Sequence, residues 1–198
     1  VFSLRELDLG WLCEEITVRG AVSVPVLDAS IRAELLAEAE RYAYMPAKTV
    51  VGKGRGRVYQ RMGVYPELPP GSRYRVLAAR FQQMFDRALA CLAVSPFASP
   101  PVFNDLMLQR YTVGELGISP HRDHVSYRNI ICLFVVAGSG RFFVCEDREG
   151  RAKKEIRGHP GDLILTRAPG FLGSSIRPFH LVSDIVQTRY VFGLRHRV

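Results

Sequence analysis

Cysteine is scarce and scattered in this chain. Cys13, Cys91, Cys132 and Cys145 share no C-x-x-C spacing, which argues against a zinc knuckle and against a disulfide framework. A cytoplasmic setting is therefore expected, or a nuclear one in a eukaryotic cell. Long apolar runs are missing as well. No stretch approaches the ~20 residues needed to cross a bilayer, and the opening VFSLRELDLGWLCEEITVRG is too charged for a secretory core, so no membrane partner is expected. Acids are in deficit: 19 Asp+Glu stand against 27 Lys+Arg, a net charge of +8 that favours polyanionic partners. Histidine is rarer still. There are five in the chain, and two of them fall within SPHRDH, Ser119 to His124, around a single carboxylate.

What is present suffices for one core. At 198 residues and 47% hydrophobic, the chain is expected to form a single monomeric domain. DASIRAELLAEAERYAY has Asp28 or Ser30 as an N-cap, followed by Ile31, Leu35, Leu36 and Ala39 at helical spacing. SRYRVLAARFQQMFDRALACLAV sets Val76, Leu77, Phe81, Met84, Phe85, Ala88, Leu89 and Leu92 on one helical stripe. The first third otherwise reads as a mixed lead-in. After Pro100-Pro101 the texture changes to short β-rich runs, NDLMLQRYT, NIICLFVVAG, RFFVCED, GDLILT, FHLVSD and TRYVFGLR, the mark of an antiparallel sandwich or barrel. Gly138-Ser139-Gly140 reads as a hairpin turn between two of these strands.

His121 and Asp123 are two apart, so at a strand end they project from the same face. His180, in a later strand-like run, can complete a set of two imidazoles and one carboxylate. On Fe(II) such a facial triad leaves three octahedral positions open, although zinc hydrolases also use two histidines and a carboxylate, so the triad alone does not name the metal. In RYVFGLR, alternation sends Arg189, Val191, Gly193 and Arg195 to one face and Tyr190, Phe192 and Leu194 to the other. Two inward guanidiniums are costly without anionic partners, and a planar fork suits a carboxylate. A short dicarboxylate is the expected guest.

LMLQRYTVGELGISPHRDH, then His180, then RYVFGLR resembles the AlkB-like branch of the Fe(II)/2-oxoglutarate dioxygenases, over about residues 100 to 196. The family outline is an N-x-Y-x-x-G turn, H-x-D, a distal histidine and R-x-N-x-T-x-R. Gln109, Val191 and Gly193 stand where that outline has Asn, Asn and Thr. The resemblance implies a mostly β fold with flanking α, a double-stranded β-helix (jelly-roll) core at 100–198, and N-terminal helices packed on one sheet. Residues 1–99 would supply that helical and substrate-lid region. It further implies that His121, Asp123 and His180 hold the metal, Fe(II), and form the catalytic centre. Arg189 would take the distal carboxylate of 2-oxoglutarate with Tyr111, Gln109 would keep the family's amide, and Arg195 would lie toward the keto-acid end or brace Asp123. With O2, such a site hydroxylates or oxidatively demethylates a substrate C–H while the cosubstrate is decarboxylated to succinate.

The substrate expected from that branch is a modified nucleobase of single-stranded or damaged DNA or RNA, with a protein side chain or small metabolite as the alternative. Lys48, Lys53, Arg55, Arg57 and Arg61, interleaved with Gly and Tyr59, form a basic stretch suited to a phosphate backbone, with an aromatic available for stacking. Tyr127, Arg128 and Phe171 are candidates for the substrate mouth. His124 reads as a plain loop residue, and His159 and His196 as structural or exposed.

Overall fold

The structure is a computed structural model and describes residues 4–198. Helix α1 (Leu9–Arg19) leads into β1 (Ala21–Pro25) and α2 (Ala29–Ala39). The short strands β2 (Met45–Pro46), β3 (Val50–Val51), β4 (Val58–Arg61) and β5 (Gly63–Tyr65) follow, and then α3 (Arg73–Ala90). The rest is strand: β6 (Asp105–Tyr111), β7 (Gly117–His121), β8 (Tyr127–Cys145), β9 (Lys154–Ile156), β10 (Asp162–Arg167) and β11 (Phe179–Arg197).

Each helix begins on a side-chain cap. Asp8 accepts from Trp11 N, Asp28 from Ile31 N and Ser72 from Tyr74 N, each satisfying an amide left over by the first turn and contributing about 1 kcal/mol. α1 stops at Gly20, which takes the left-handed conformation (φ 81°) and donates its N–H to Ile16 O. The lead-in therefore contains a full helix and a paired strand. On α3 the buried stripe is Tyr74, Leu77, Ala78, Phe81, Met84 and Phe85, so it is rotated from the expected one, and Val76 faces solvent at 44% exposure.

All pairings are antiparallel. One path runs β1-β10-β8-β11-β6-β5-β2; a second layer is built from β4, β7 and β9 on the other halves of β11 and β8, with β3 on β4. β8 and β11, 19 residues each, pass through both layers and so fold the sheet over itself into a jelly roll. Alternation then divides the core in two. Cys132, Phe134, Val136, Leu163, Leu165, Tyr190, Phe192 and Leu194 face the helices, where Tyr74 meets Phe192 edge-on at 4.9 Å and Phe81 meets Phe134 at 5.1 Å. Val135, Phe142, Ile164, Val182, Ile185 and Val191 line the space between the layers with Tyr111 and Ile118. Truncating a ring such as Phe192, wholly buried, would cost about 3–5 kcal/mol.

Two readings of the sequence change here. Gly138-Ser139-Gly140 is not a hairpin: it lies inside β8, where the pairing with β11 slips between Ser139↔Gln187 and Ala137↔Tyr190. FHLVSD and TRYVFGLR are likewise one strand, β11, bent at Asp184 (φ 55°). The sheet also draws β1 and β5 from before residue 100, on β10 and β6.

Candidate metal centre and anion pocket

The ladder between β7 and β11 places His121 directly opposite His180. Asp123 follows two residues past His121, just beyond the end of β7. One donor atom from each of His121, Asp123 and His180 lies within 4.8 Å of the others, and His180 Nε2 stands 3.4 Å from Asp123 Oδ2. His180 is further held by Phe142, whose ring stacks on the imidazole at 5.4 Å.

Both imidazoles are oriented by the backbone two residues before them. His121 Nδ1 is 2.9 Å from Ser119 O and His180 Nδ1 is 3.2 Å from Pro178 O. A carbonyl only accepts, so each Nδ1 carries a proton and each Nε2 is the ring atom left to ligate. One ring nitrogen from each histidine and an Asp123 carboxylate oxygen lie close enough together to share one cation. Burial, together with neighbouring His180, pulls the His121 imidazole down to about 4. Burial alone would raise the Asp123 carboxyl, but His180, His121, Arg195 and Arg177 outweigh it and hold it below the usual carboxylate value. The site thus holds a neutral His121 imidazole beside an ionised carboxylate, as metal ligation requires of those two groups.

Gln109, Tyr111, Ile118, Ile131, Leu133, Phe142, Val182 and Arg195 wall the cleft below the three ligands. Its free space is about 40 Å³, room for a few waters and too little for a five-carbon diacid unless side chains rotate away. Gln109 donates to Met62 Sδ at 3.4 Å. Arg195, 6% exposed, pairs with Asp105 at 3.4 Å and has its guanidinium 5.3 Å from the Tyr127 ring.

Arg189 is the anomaly. It is 2% exposed, it projects from β11 opposite Tyr111 of β6, and its guanidinium carbon is 5.8 Å from the Tyr111 ring centre. Nε has no hydrogen-bond partner, and no carboxylate among the described residues pairs with the side chain. It does not line the cleft as the cleft stands. Burial lowers its pKa, with Tyr111 opposing, while burial pushes the Tyr111 phenol up to about 12. A desolvated cation without a counter-ion costs several kcal/mol, a cost that a bound anion would offset.

The remaining candidates separate cleanly. His124 is an exposed loop residue bonded to Ser126 Oγ at 2.8 Å. His159 sits 3.5 Å from Asp162 at the surface, and His196 Nδ1 is 3.2 Å from Asn129 Nδ2. Phe171 is not at the mouth: it is fully buried against Phe97. Arg177, which sequence reasoning passed over, donates from Nη1 to the Asp123 carbonyl at 2.6 Å and so braces the ligand loop. Its place three residues before His180 was the only sequence signal for it.

No protein-family model matches the chain, and no curated protein matches it in sequence. Solved structures do. A 2OG-Fe(II) oxygenase family oxidoreductase from Burkholderia pseudomallei superposes with a TM-score of 0.68 at 15% identity, over 99% of this chain and 93% of that one. A Pseudomonas putida prolyl-4-hydroxylase gives 0.65 at 13%, over 97% and 100%. The non-heme alpha-ketoglutarate-dependent epimerase SnoN gives 0.62 at 19%, over 94% and 81%. At these identities the likeness is one of fold: the chain has a jelly-roll architecture like that of these structures.

Proposed function

We propose that this protein is an Fe(II)- and 2-oxoglutarate-dependent oxygenase. The observation that carries the reading is Arg189, an unpaired guanidinium sealed into the same barrel whose mouth brings together His121, Asp123 and His180. A metal-binding triad alone fits many reactions. A triad with a buried cation beyond it fits a chelating acid that carries a second carboxylate.

The residues divide the work. His121, Asp123 and His180 would hold the metal, leaving three positions for the cosubstrate and O2. Arg189, with Tyr111 beside it, would take the distal carboxylate, and Gln109 and Arg195 would flank the keto-acid end. Ile131, Leu133, Phe142 and Val182, which line the cleft, would screen the reacting centre from bulk water. When bound, Fe(II) and 2-oxoglutarate would supply the oxidising power, coupling O2-dependent decarboxylation of the keto acid to hydroxylation of a substrate C–H bond. No side chain needs to act as a general base.

For the substrate we infer a modified base in single-stranded or damaged nucleic acid. Between Arg41 and Pro66 the chain has Lys48, Lys53, Arg55, Arg57 and Arg61 and no acid. The β3–β4 hairpin within it is docked at the mouth: β4 pairs with β7 through Gln60↔Ile118 and Arg61↔Gly117, and Tyr59 N donates to Ser119 Oγ at 2.9 Å. Tyr59 itself is 48% exposed among the cations, available to stack on a base. A second reading, hydroxylation of a protein side chain or small metabolite, draws support from the structural neighbours, which include prolyl hydroxylases and an epimerase.

Succinate release from the Fe(II)-loaded protein, measured across methylated oligonucleotides, methylated peptides and small metabolites, tests both. Turnover with oligonucleotides alone is the expected result. Turnover confined to peptides or metabolites selects the second reading, and none in any panel overturns the oxygenase assignment.

A further inference from the structure

Gly138 and Gly140 stand two apart on β8, where it bends between the layers, and both abut Arg189. They are glycines for different reasons. At Gly138 φ is 81°, and an added Cβ would stand 2.0 Å from Thr188 O and 2.6 Å from Arg189 Cα. Backbone meets backbone there, so the fold itself demands glycine.

Gly140 is under no such demand. It is not among the glycines with positive φ, and the nearest backbone atom to an added Cβ, Ser183 O, is 3.6 Å away, an ordinary contact. An added Cβ would strike Ile185 Cδ1 at 2.6 Å and would crowd Arg189 Cδ at 3.1 Å, which must then give by a few tenths of an ångström. Ile185 Cδ1 is the tip of a side chain and can turn aside. Arg189 Cδ is the root of the guanidinium, so moving it moves the charge. The gap at position 140 is occupied by the stem of a buried cation that has no partner among the described residues.

We infer that Gly140 is a positioning residue: its missing side chain is the berth of Arg189 and sets how far the guanidinium stands from the metal triad, and therefore which acids the protein binds. The inference rests on the reading above, that Arg189 receives the distal carboxylate of a 2-oxo diacid. A side chain at 140 shifts the guanidinium while leaving His121, Asp123 and His180 untouched. Affinity for a diacid should then fall while affinity for a 2-oxo monoacid, which has no distal carboxylate to place, stays as it was. A general loosening of the fold would weaken both.

The test is calorimetric binding of 2-oxoglutarate and of 2-oxobutyrate to the full chain loaded with Mn(II) under argon, where no turnover occurs. Gly140→Ala, Gly140→Val, Ile185→Ala and Gly140→Ala/Ile185→Ala are compared with the wild type. We expect 2-oxoglutarate to bind at least tenfold more weakly to Gly140→Val, with Mn(II) affinity and 2-oxobutyrate affinity within twofold of wild type. The double variant removes the collision with Ile185, leaves the one with Arg189, and keeps the test open if Gly140→Val fails to fold. It should bind 2-oxoglutarate at least threefold more weakly than Ile185→Ala alone. Equal affinity in those two proteins, or an equal loss for both acids, overturns the berth. Failure of the wild type to bind 2-oxoglutarate at all would instead overturn the oxygenase reading.

Discussion

His180 faces His121 across the β7–β11 ladder with the two ring centroids 4.3 Å apart. Each ring is pinned by a backbone carbonyl at its Nδ1. Two imidazoles held this close repel when protonated, and their bare Nε2 atoms converge when neutral. The pair is therefore set up for a shared cation, and the carboxylate of Asp123 beside it supplies the compensating charge.

Asp123→Ala removes that charge and one of the three donors. Removing a group that merely orients a ligand costs about 10–100-fold in metal affinity, so loss of the ligand itself should cost at least about a hundredfold. Titration of the apo protein with Co(II), followed by its d–d absorption, would check this against an unchanged far-ultraviolet circular dichroism spectrum. Wild-type metal affinity in this variant would dismiss the triad.

Acid should unfold the metal-free protein in a window set by His121. Its imidazole is held at about 4 when folded, against 6.5 for the unfolded chain. Between those values the unfolded chain binds a proton that the folded one does not, so stability is complete above about pH 6.5 and declines as pH falls toward 4. The gap caps the effect at about 3 kcal/mol, reduced by the partial exposure of the ring. Asp123, held below its usual value, adds a loss of the same sign at lower pH. Urea unfolding from pH 7.5 to 4 should show the decline in wild type and a flatter curve in His121→Phe; parallel curves would contradict the assignment.

Arg189→Met trades function for stability. The wild-type chain carries a desolvated guanidinium that meets no acid among the described residues, and a flexible apolar side chain of similar length removes that penalty. Replacing buried charge by packed apolar groups is often neutral to stabilising by about 1–4 kcal/mol. The melting temperature of the ligand-free variant should rise, while the further rise that 2-oxoglutarate gives the Mn(II)-loaded wild type should vanish. A variant that melts lower than wild type would mean that Arg189 has a counter-ion within the chain.

Where sequence reasoning succeeded and where it failed both have physical causes. The inward set Arg189, Val191, Gly193 and Arg195 was legible because a strand has a period of two, and Tyr190, Phe192 and Leu194 do pack on the helices. The run from His180 to Arg189 looked like two strands because ordinary strands are about 5–6 residues long, and Ser183-Asp184 and Gly138-Ser139-Gly140 look like punctuation. In the fold they are bends within single strands that change layers. β7 was hidden by Pro120, which cannot donate to a ladder; the register with β11 slips between His180 and Val182 beside it. α1 was obscured by Gly10, Thr17 and Val18, weak helix formers, though Asp8 was a readable cap. That Arg189 has no counter-ion among the described residues is a property of the tertiary structure, beyond any local pattern.

Gly193 stands beneath Arg195. A Cβ there would lie 3.0 Å from both terminal guanidinium nitrogens, so the arginine folds flat over its neighbour two residues back. Gly193→Ala should be tolerated, since the end of a long side chain yields. Gly193→Thr overfills the space and should cost about 1–3 kcal/mol, pushing Arg195 away from its 3.4 Å pairing with Asp105. Urea unfolding of the two variants measures the difference, and a Thr variant as stable as the Ala variant would show that Arg195 has another resting place.

The basic hairpin offers the sharpest distinction between substrate classes. Its anchorage uses the backbone of Tyr59, the strand pairing of Gln60 and Arg61, and a 2.8 Å bond from Gln60 Nε2 to Lys48 O, none of which involves the side chains of Lys53, Arg55 or Arg57. Those three are exposed and make no ion pair among the described residues, so Lys53→Ser/Arg55→Ser/Arg57→Ser should leave the fold and the metal site intact. If a single strand lies along the hairpin, log affinity falls linearly with log salt, with a slope of about −0.7 per phosphate contacted. Removing three contacts should then flatten the slope by about 2 and weaken binding most at low salt. Fluorescence anisotropy with a labelled methylated oligonucleotide from 50 to 300 mM salt reads both quantities. A slope unchanged by the triple substitution, with turnover retained, would detach the hairpin from substrate recognition and leave peptide or metabolite hydroxylation as the better account of the site.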